Sequence, residues 1–256
     1  MSHDFFQVDR TVHHTSAGLV DLPILYFDAS NAIALFDADL RGAHELLDGT
    51  DLEPAIVHDG KALVGLSFYD YRHTSVGAYH EVGTAIFARR RGDRGALPAL
   101  LELFVDPRRR HTGAWVVDLP VTTELARAAG RELWGYPKFV TAIDFTLHGR
   151  AVRGVVHDPS GVEAICELVG TMGLGVPVPA PSLATFTELG GALVRTHVDV
   201  RAPATLRRPG DVQLRIGAST HAMADHLRTL DLDGAIPRAI VTTTRLQSLL
   251  HAGVRA

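Results

Sequence analysis

Lysine is almost absent from this chain. Of its 25 Lys and Arg residues, only Lys61 and Lys138 are lysine. As surface charges the two types are near equivalents, so a retained lysine points to what arginine cannot do. The ε-amine can lose its proton and attack a carbonyl carbon; the guanidinium cannot. Lys138 lies in Gly130-Arg131-Glu132-Leu133-Trp134-Gly135-Tyr136-Pro137-Lys138-Phe139. An ordinary lysine is only ~0.04 % neutral at pH 7, and Trp134, Tyr136 and Phe139 would favour the neutral amine by desolvation. The cation nearest in sequence is Arg131. Pro137 biases Tyr136 toward extended backbone, and in an extended segment Tyr136 and Lys138 point to one side. Lys61, in Asp59-Gly60-Lys61, reads as part of a hairpin turn.

Other chemistries find little support. The 14 histidines form no HExxH and no Cys/His cluster, and His221 and His226 are spaced poorly for one helical face, so no metal is expected. Gly170-Thr171-Met172-Gly173-Leu174-Gly175 lacks the strand–turn–helix context and the lysine of a phosphate loop. A formal net charge of -4 gives no general attraction to nucleic acid. Arg89-Arg90-Arg91 and Arg108-Arg109-Arg110 read as solvated loops or subunit contacts. The single cysteine, Cys166, excludes an intrachain disulfide. With no signal-peptide pattern and no long apolar run, a soluble cytoplasmic protein without membrane contact is expected.

Period-two alternation dominates the pattern. Ala192–Arg201, Phe139–Leu147 and Ala62–Phe68 alternate apolar and polar residues as half-buried strands do. Val152–His157 follows the second of these across His148-Gly149-Arg150, a hairpin signal. Trp115–Val117 and Ile240–Thr242 are shorter strand candidates. Helical spacing is confined to short stretches: Asp39–Leu47 with Asp37 as N-cap, Thr123–Ala129 ending at Gly130, Ser219–Leu230 and Leu246–Leu250. The proline-rich stretch from Gly173 to Pro181 reads as a long loop. Many strands and few helices predict an α+β, β-rich fold with a closed barrel and flanking antiparallel strands, in one domain over 1–256.

Gly130-Arg131-Glu132-Leu133 followed by Tyr136-Pro137-Lys138 resembles the Schiff-base segment of the acetoacetate decarboxylase family. Gly77-Ala78-Tyr79-His80-Glu81-Val82-Gly83 resembles the segment carrying that family's active-site glutamate. Val212-Gln213-Leu214, His221-Ala222-Met223-Ala224 and Pro237-Arg238-Ala239-Ile240-Val241 resemble its C-terminal strand, loop and strand. The resemblance implies a barrel that assembles into homo-oligomers, with Lys138 as the amine nucleophile and Glu81 as the proton carrier. No cofactor is implied. Tyr136 would orient the substrate or Glu81, with Trp134 and Phe139 lining the site. Glu132 would be a second carboxylate and His80 a second proton carrier. Each also has a plain structural reading, and for Trp134 and His80 that reading is preferred.

Two departures from the family pattern bear on chemistry. The decarboxylase carries a second lysine after the first, where this chain has Phe139. It also carries an arginine for the substrate carboxylate, whereas here no arginine lies between Arg10 and Arg41, and Leu66 stands near its further acidic position. The expected function is a Schiff-base lyase acting on a small keto acid or ketone, by decarboxylation of an acetoacetate-like β-keto acid. The alternatives are an aldolase-dehydratase joining pyruvate or another α-keto acid to an aldehyde, and a non-catalytic binding barrel.

Overall fold

A computed structural model describes residues 5–95, 97–103, 105–161 and 163–256. In chain order the elements are β1 (Thr11–Thr15), β2 (Gly18–Leu22), β3 (Ile24–Asp39), α1 (Leu40–Glu45), β4 (Leu52–Pro54), β5 (Val57–His58), β6 (Lys61–Thr74), β7 (Tyr79–Arg90) and α2 (Ala99–Glu102). These are followed by β8 (Gly113–Asp118), α3 (Glu124–Trp134), β9 (Ile143–His148), β10 (Ala151–His157), β11 (Ala164–Thr171), β12 (Gly175–Pro179) and β13 (Leu183–Leu189). The last are β14 (Ala192–Arg201), β15 (Pro203–Arg207), β16 (Gln213–Ile216), α4 (Ala222–Thr229), β17 (Ala239–Leu250) and β18 (Val254–Arg255).

The main sheet closes on itself. Its order runs β17-β3-β6-β7-β8-β13-β14, and β14 pairs back onto β17. All neighbours are antiparallel except the parallel pair β8 and β13. The closed, β-rich architecture expected from the alternation is present. At its far end β17 leaves β14 and pairs instead with β15, which carries β12 outward as an edge.

Each ring strand has two faces. Along β3, Ala32, Ala34 and Phe36 point outward with Val64, Leu66 and Phe68 of β6 and Val82 and Ile86 of β7. That face packs against a second sheet, β16-β11-β10-β9, through Phe145, Val152, Val156 and Leu168. Phe68 stacks on Phe145 at 5.7 Å. The opposite face turns into the ring.

Five local expectations are corrected. Leu246–Leu250 is strand, not helix: Leu246, Ser248 and Leu250 alternate inward and pair with Ala29, Tyr26 and Ile24. The Gly173–Pro181 stretch is not all loop. Residues 175–179 form an edge strand, where proline is tolerated because one row of N–H groups needs no partner. Helix α1 is capped by Asp39, which accepts from the Gly42 N–H, not by Asp37. Helix α3 runs through Gly130 to end at Gly135, and Phe139–Ala142 precedes the regular strand β9. The Asp59-Gly60 turn, with both residues at positive φ, and the β9–β10 hairpin across His148–Ala151 form as their residues suggest.

Each arginine run has members held within the chain. Arg89 pairs with Glu53 at 2.9 Å and Arg108 with Asp199 at 3.1 Å. Arg110 is buried, donating to the Leu103 and Ser182 carbonyls. Burial and the neighbouring Arg195 push it down to about 10. No helix among the described residues is long and apolar enough to cross a membrane.

Candidate active site

Lys138 is delivered by the end of α3. Thr123 caps the helix start by accepting the Ala126 N–H. Gly135 ends it in the left-handed region at φ 72°. Its N–H donates to the Arg131 carbonyl, and the Tyr136 N–H to that of Gly130. Only glycine suits this position: the conformation is left-handed, and a Cβ would overlap the Glu188 carbonyl oxygen. The chain then runs beside 119–121, where Leu119 and Val121 donate to the Pro137 and Phe139 carbonyls. Lys138 thus enters the ring from one end, and Arg131 donates to the Lys138 carbonyl at 3.0 Å.

Gly130 has a second purpose. A Cβ there would overlap Cδ and Cε of Lys138, so the lysine stem lies directly on the helix backbone. Alanine at 130 should strengthen the helix by about 1 kcal/mol on propensity alone, yet displace the amine. We expect Gly130→Ala to keep its fold and lose roughly 10²-fold or more in rate, since an ångström of misplacement can cost that much. Melting and turnover measured together check this. A fully active, stable Gly130→Ala would refute the packing argument.

Inside the ring, Nζ of Lys138 lies 2.6 Å from Oε2 of Glu81. Both residues are buried, at 5 % and 7 % exposure. Antiparallel partners share a face, so the register of β7, β6, β3 and β17 stacks the inner face in rows. The row of Glu81 is Tyr69, Asn31 and Thr243. Below it lie Tyr79, Tyr71, Ala29 and Leu246; above it lie Gly83, Ser67, Ile33 and Val241.

The chain has five tyrosines, and all five gather here. Tyr71 donates to Oε1 of Glu81 at 3.3 Å. The Tyr26 and Tyr79 hydroxyls meet at 3.0 Å. Tyr69 stacks on Tyr71 at 5.2 Å. Nζ of Lys138 lies 5.7 Å from the Tyr79 ring centre and 6.0 Å from that of Tyr136. Burial raises all five phenols above their ordinary value, with the Glu81 charge adding to the rise. Tyr69 is pushed up to about 12. The pair therefore sits among neutral hydroxyls.

The remaining sequence candidates lie elsewhere. Trp134 is fully buried behind Tyr136, its ring 6.1 Å away, and donates its indole N–H to the His251 carbonyl. Phe139 alternates away from Lys138 and lies tilted against His221, ring centres 4.3 Å apart. His80 alternates away from Glu81; its Nδ1 meets the Ile143 carbonyl at 2.9 Å and its Nε2 lies 3.5 Å from Asp70. Glu132 is exposed and accepts from the Ser16 N–H and hydroxyl, tying down the β1–β2 hairpin. The structure brings Lys138, Glu81 and Tyr136 together and leaves these four outside. Tyr26, Tyr69, Tyr71 and Tyr79 were missed. Their signal was available: Tyr69, Tyr71, Tyr79 and Glu81 share parity across one hairpin. No group of three or more potential metal ligands occurs among the described residues.

A sequence profile described as "Acetoacetate decarboxylase (ADC)" matches residues 11–226. The fold is similar to the acetoacetate decarboxylase of Legionella pneumophila, with 17 % identity, 98 % of this chain and 92 % of that one covered, and a TM-score of 0.67. It is also similar to an acetoacetate decarboxylase-like enzyme from Sphingomonas wittichii RW1, with 15 % identity, coverage of 93 % and 94 %, and a TM-score of 0.65. A third similar structure is the enduracididine biosynthesis enzyme MppR, complexed with the condensation product of pyruvate and imidazole 4-carboxaldehyde, with 15 % identity, coverage of 92 % and 90 %, and a TM-score of 0.62. No curated protein matches the chain.

Proposed function

The chain belongs to the acetoacetate decarboxylase family, and from that premise we propose that it is a Schiff-base lyase that makes or breaks a bond beside a carbonyl carbon. One observation carries the reading: a buried primary amine in contact with a single buried carboxylate, inside a ring of neutral phenols. Proton transfer from Nζ to Oε2 leaves a neutral amine facing a neutral acid, the protonation state that attack on a carbonyl requires.

The neutral amine adds to the carbonyl carbon. Glu81, now protonated, supplies the proton with which the carbinolamine oxygen leaves as water, and an iminium remains. The iminium accepts the electron pair of a bond to the adjacent carbon, giving an enamine. The fragment released is a proton, CO₂ or an aldehyde. In this reading Glu81 moves the protons, and the phenols donate hydrogen bonds to oxygen as it gains charge. Where an aldehyde leaves, Glu81 takes its hydroxyl proton; a proton or an electrophile then adds to the enamine carbon to restore the iminium, and water adds to that iminium to release the carbonyl product and the lysine. The relative complexed with a pyruvate–aldehyde condensation product supports carbon–carbon bond chemistry as one branch.

The test is exchange of α-hydrogens. In D₂O the enzyme should wash deuterium into the carbons beside a ketone carbonyl, followed by NMR, at a rate proportional to enzyme. No exchange above buffer with ketones, aldehydes or keto acids would end the proposal.

A further inference from the structure

The inner face of the ring is almost free of charge. From the row of Tyr79 to the row of Ala85, the inward positions of β3, β6, β7, β8, β13, β14 and β17 carry no Lys, Arg or His among the described residues. Among the described residues of these rows the cation that reaches this space is the amine of Lys138, and Glu81 already occupies it. At the rim, Arg89 is held by Glu53 and Arg238 by Asp37.

What lines the space beyond the pair is apolar or neutral. Ile33, Leu35, Val241 and Phe87 are half-buried along the inward rows. Gly65 faces inward between them, and a Cβ there would meet nothing nearer than Phe87 at 3.8 Å, whereas the space over Gly83 is taken by Ser67 and Leu119. Asn31, in the same row as Glu81, is 5 % exposed, and its Oδ1 has no hydrogen-bond partner among the described residues. That oxygen is free to accept a hydrogen bond.

A substrate carboxylate entering here would lose its hydration beside Glu81 and find no free cation. Burying an unpaired carboxylate is strongly unfavourable. A neutral carbonyl compound loses little and gains contact with the aliphatic and aromatic lining. Resting on the Schiff-base reading above, we propose that the substrate is an uncharged ketone or aldehyde with an apolar body, not a keto acid. The bond broken or formed is then to a carbon partner or a proton, and no carboxylate is there to leave as CO₂. Asn31 Oδ1 would accept a hydrogen bond from a hydroxyl group, which suits a hydroxyketone aldol.

Levulinate and methyl levulinate carry the same remote ketone and differ in charge. Each is incubated with the full-length protein and borohydride, and reductive labelling of Lys138 is timed by intact mass and peptide mapping. Methyl levulinate should label at least tenfold faster. Ile33→Arg, which adds a cation at the half-buried rim, should narrow or reverse that ratio by raising the levulinate rate. Equal or faster labelling by levulinate in the native protein would overturn the neutral-substrate inference and leave the Schiff base standing. Absence of label on Lys138 with both compounds would overturn the Schiff-base reading, and this inference with it.

Discussion

Lys138→Arg should fold, keep a cation against Glu81 and lose essentially all turnover, a fall of about 10⁴-fold or more, or over ~5 kcal/mol of barrier. The guanidinium holds its proton and forms no iminium, so the loss should appear equally in kcat and kcat/KM. The charge is kept deliberately. Lys138→Ala would leave Glu81 buried without its partner, at a cost of roughly 3–5 kcal/mol, and a dead enzyme could then be an unfolded one. Replacing both partners, as Lys138→Met with Glu81→Leu, should recover much of that stability without activity. Thermal melts beside rate measurements separate the cases. A Lys138→Arg enzyme within tenfold of wild type would remove the amine from the mechanism.

Glu81→Gln is expected to have the next largest effect. Glutamine keeps the shape, and its amide can still meet Tyr71 and Lys138, but it carries no proton between amine and substrate. A loss of ~10²–10⁴-fold is expected for a general acid–base group. The loss should concentrate in α-hydrogen exchange and turnover, while borohydride still captures a slowly formed adduct on Lys138. Glu81→Asp, with a carboxylate one methylene back, should recover part of the rate. If Glu81→Gln abolished capture and exchange alike while its melt matched wild type, Glu81 would act wholly in forming the iminium, and the later proton transfers assigned to it would belong to another group.

Much of this arrangement was legible because strands report their faces. The parity of Ala192–Arg201 and Ala62–Phe68 marks half-buried strands, and a chain so rich in them closes into a ring. Lys138 stood out by rarity, and Tyr136 by parity with it. Less legible was anything fixed by register between distant strands. Which residue of β3 shares the row of Glu81 depends on the register of β3 against β6, and the bulge near Asp28 and Ala29 then sets where Tyr26 lies; a one-residue slip would turn every side chain to the other face. The tyrosine cluster follows from that register. Leu246–Leu250 misled for a related reason: five residues with leucines at both ends satisfy helical and strand spacing alike. Gly130 misled because a glycine after an apolar run resembles a helix end, whereas here the side chain of Lys138 fills the space a Cβ would take.

The scarcity of lysine makes the central claim unusually easy to test. Only two side-chain amines exist, Lys61 and Lys138. Lys61 is on the surface, 3.8 Å from Asp231. The decisive measurement is borohydride reduction in the presence of a neutral ketone, followed by peptide mapping. The account predicts one equivalent of label, on the peptide containing Lys138, absent in Lys138→Arg and unaffected by Lys61→Arg. Label on Lys61 alone, or on neither lysine across ketones, aldehydes and keto acids, would contradict it.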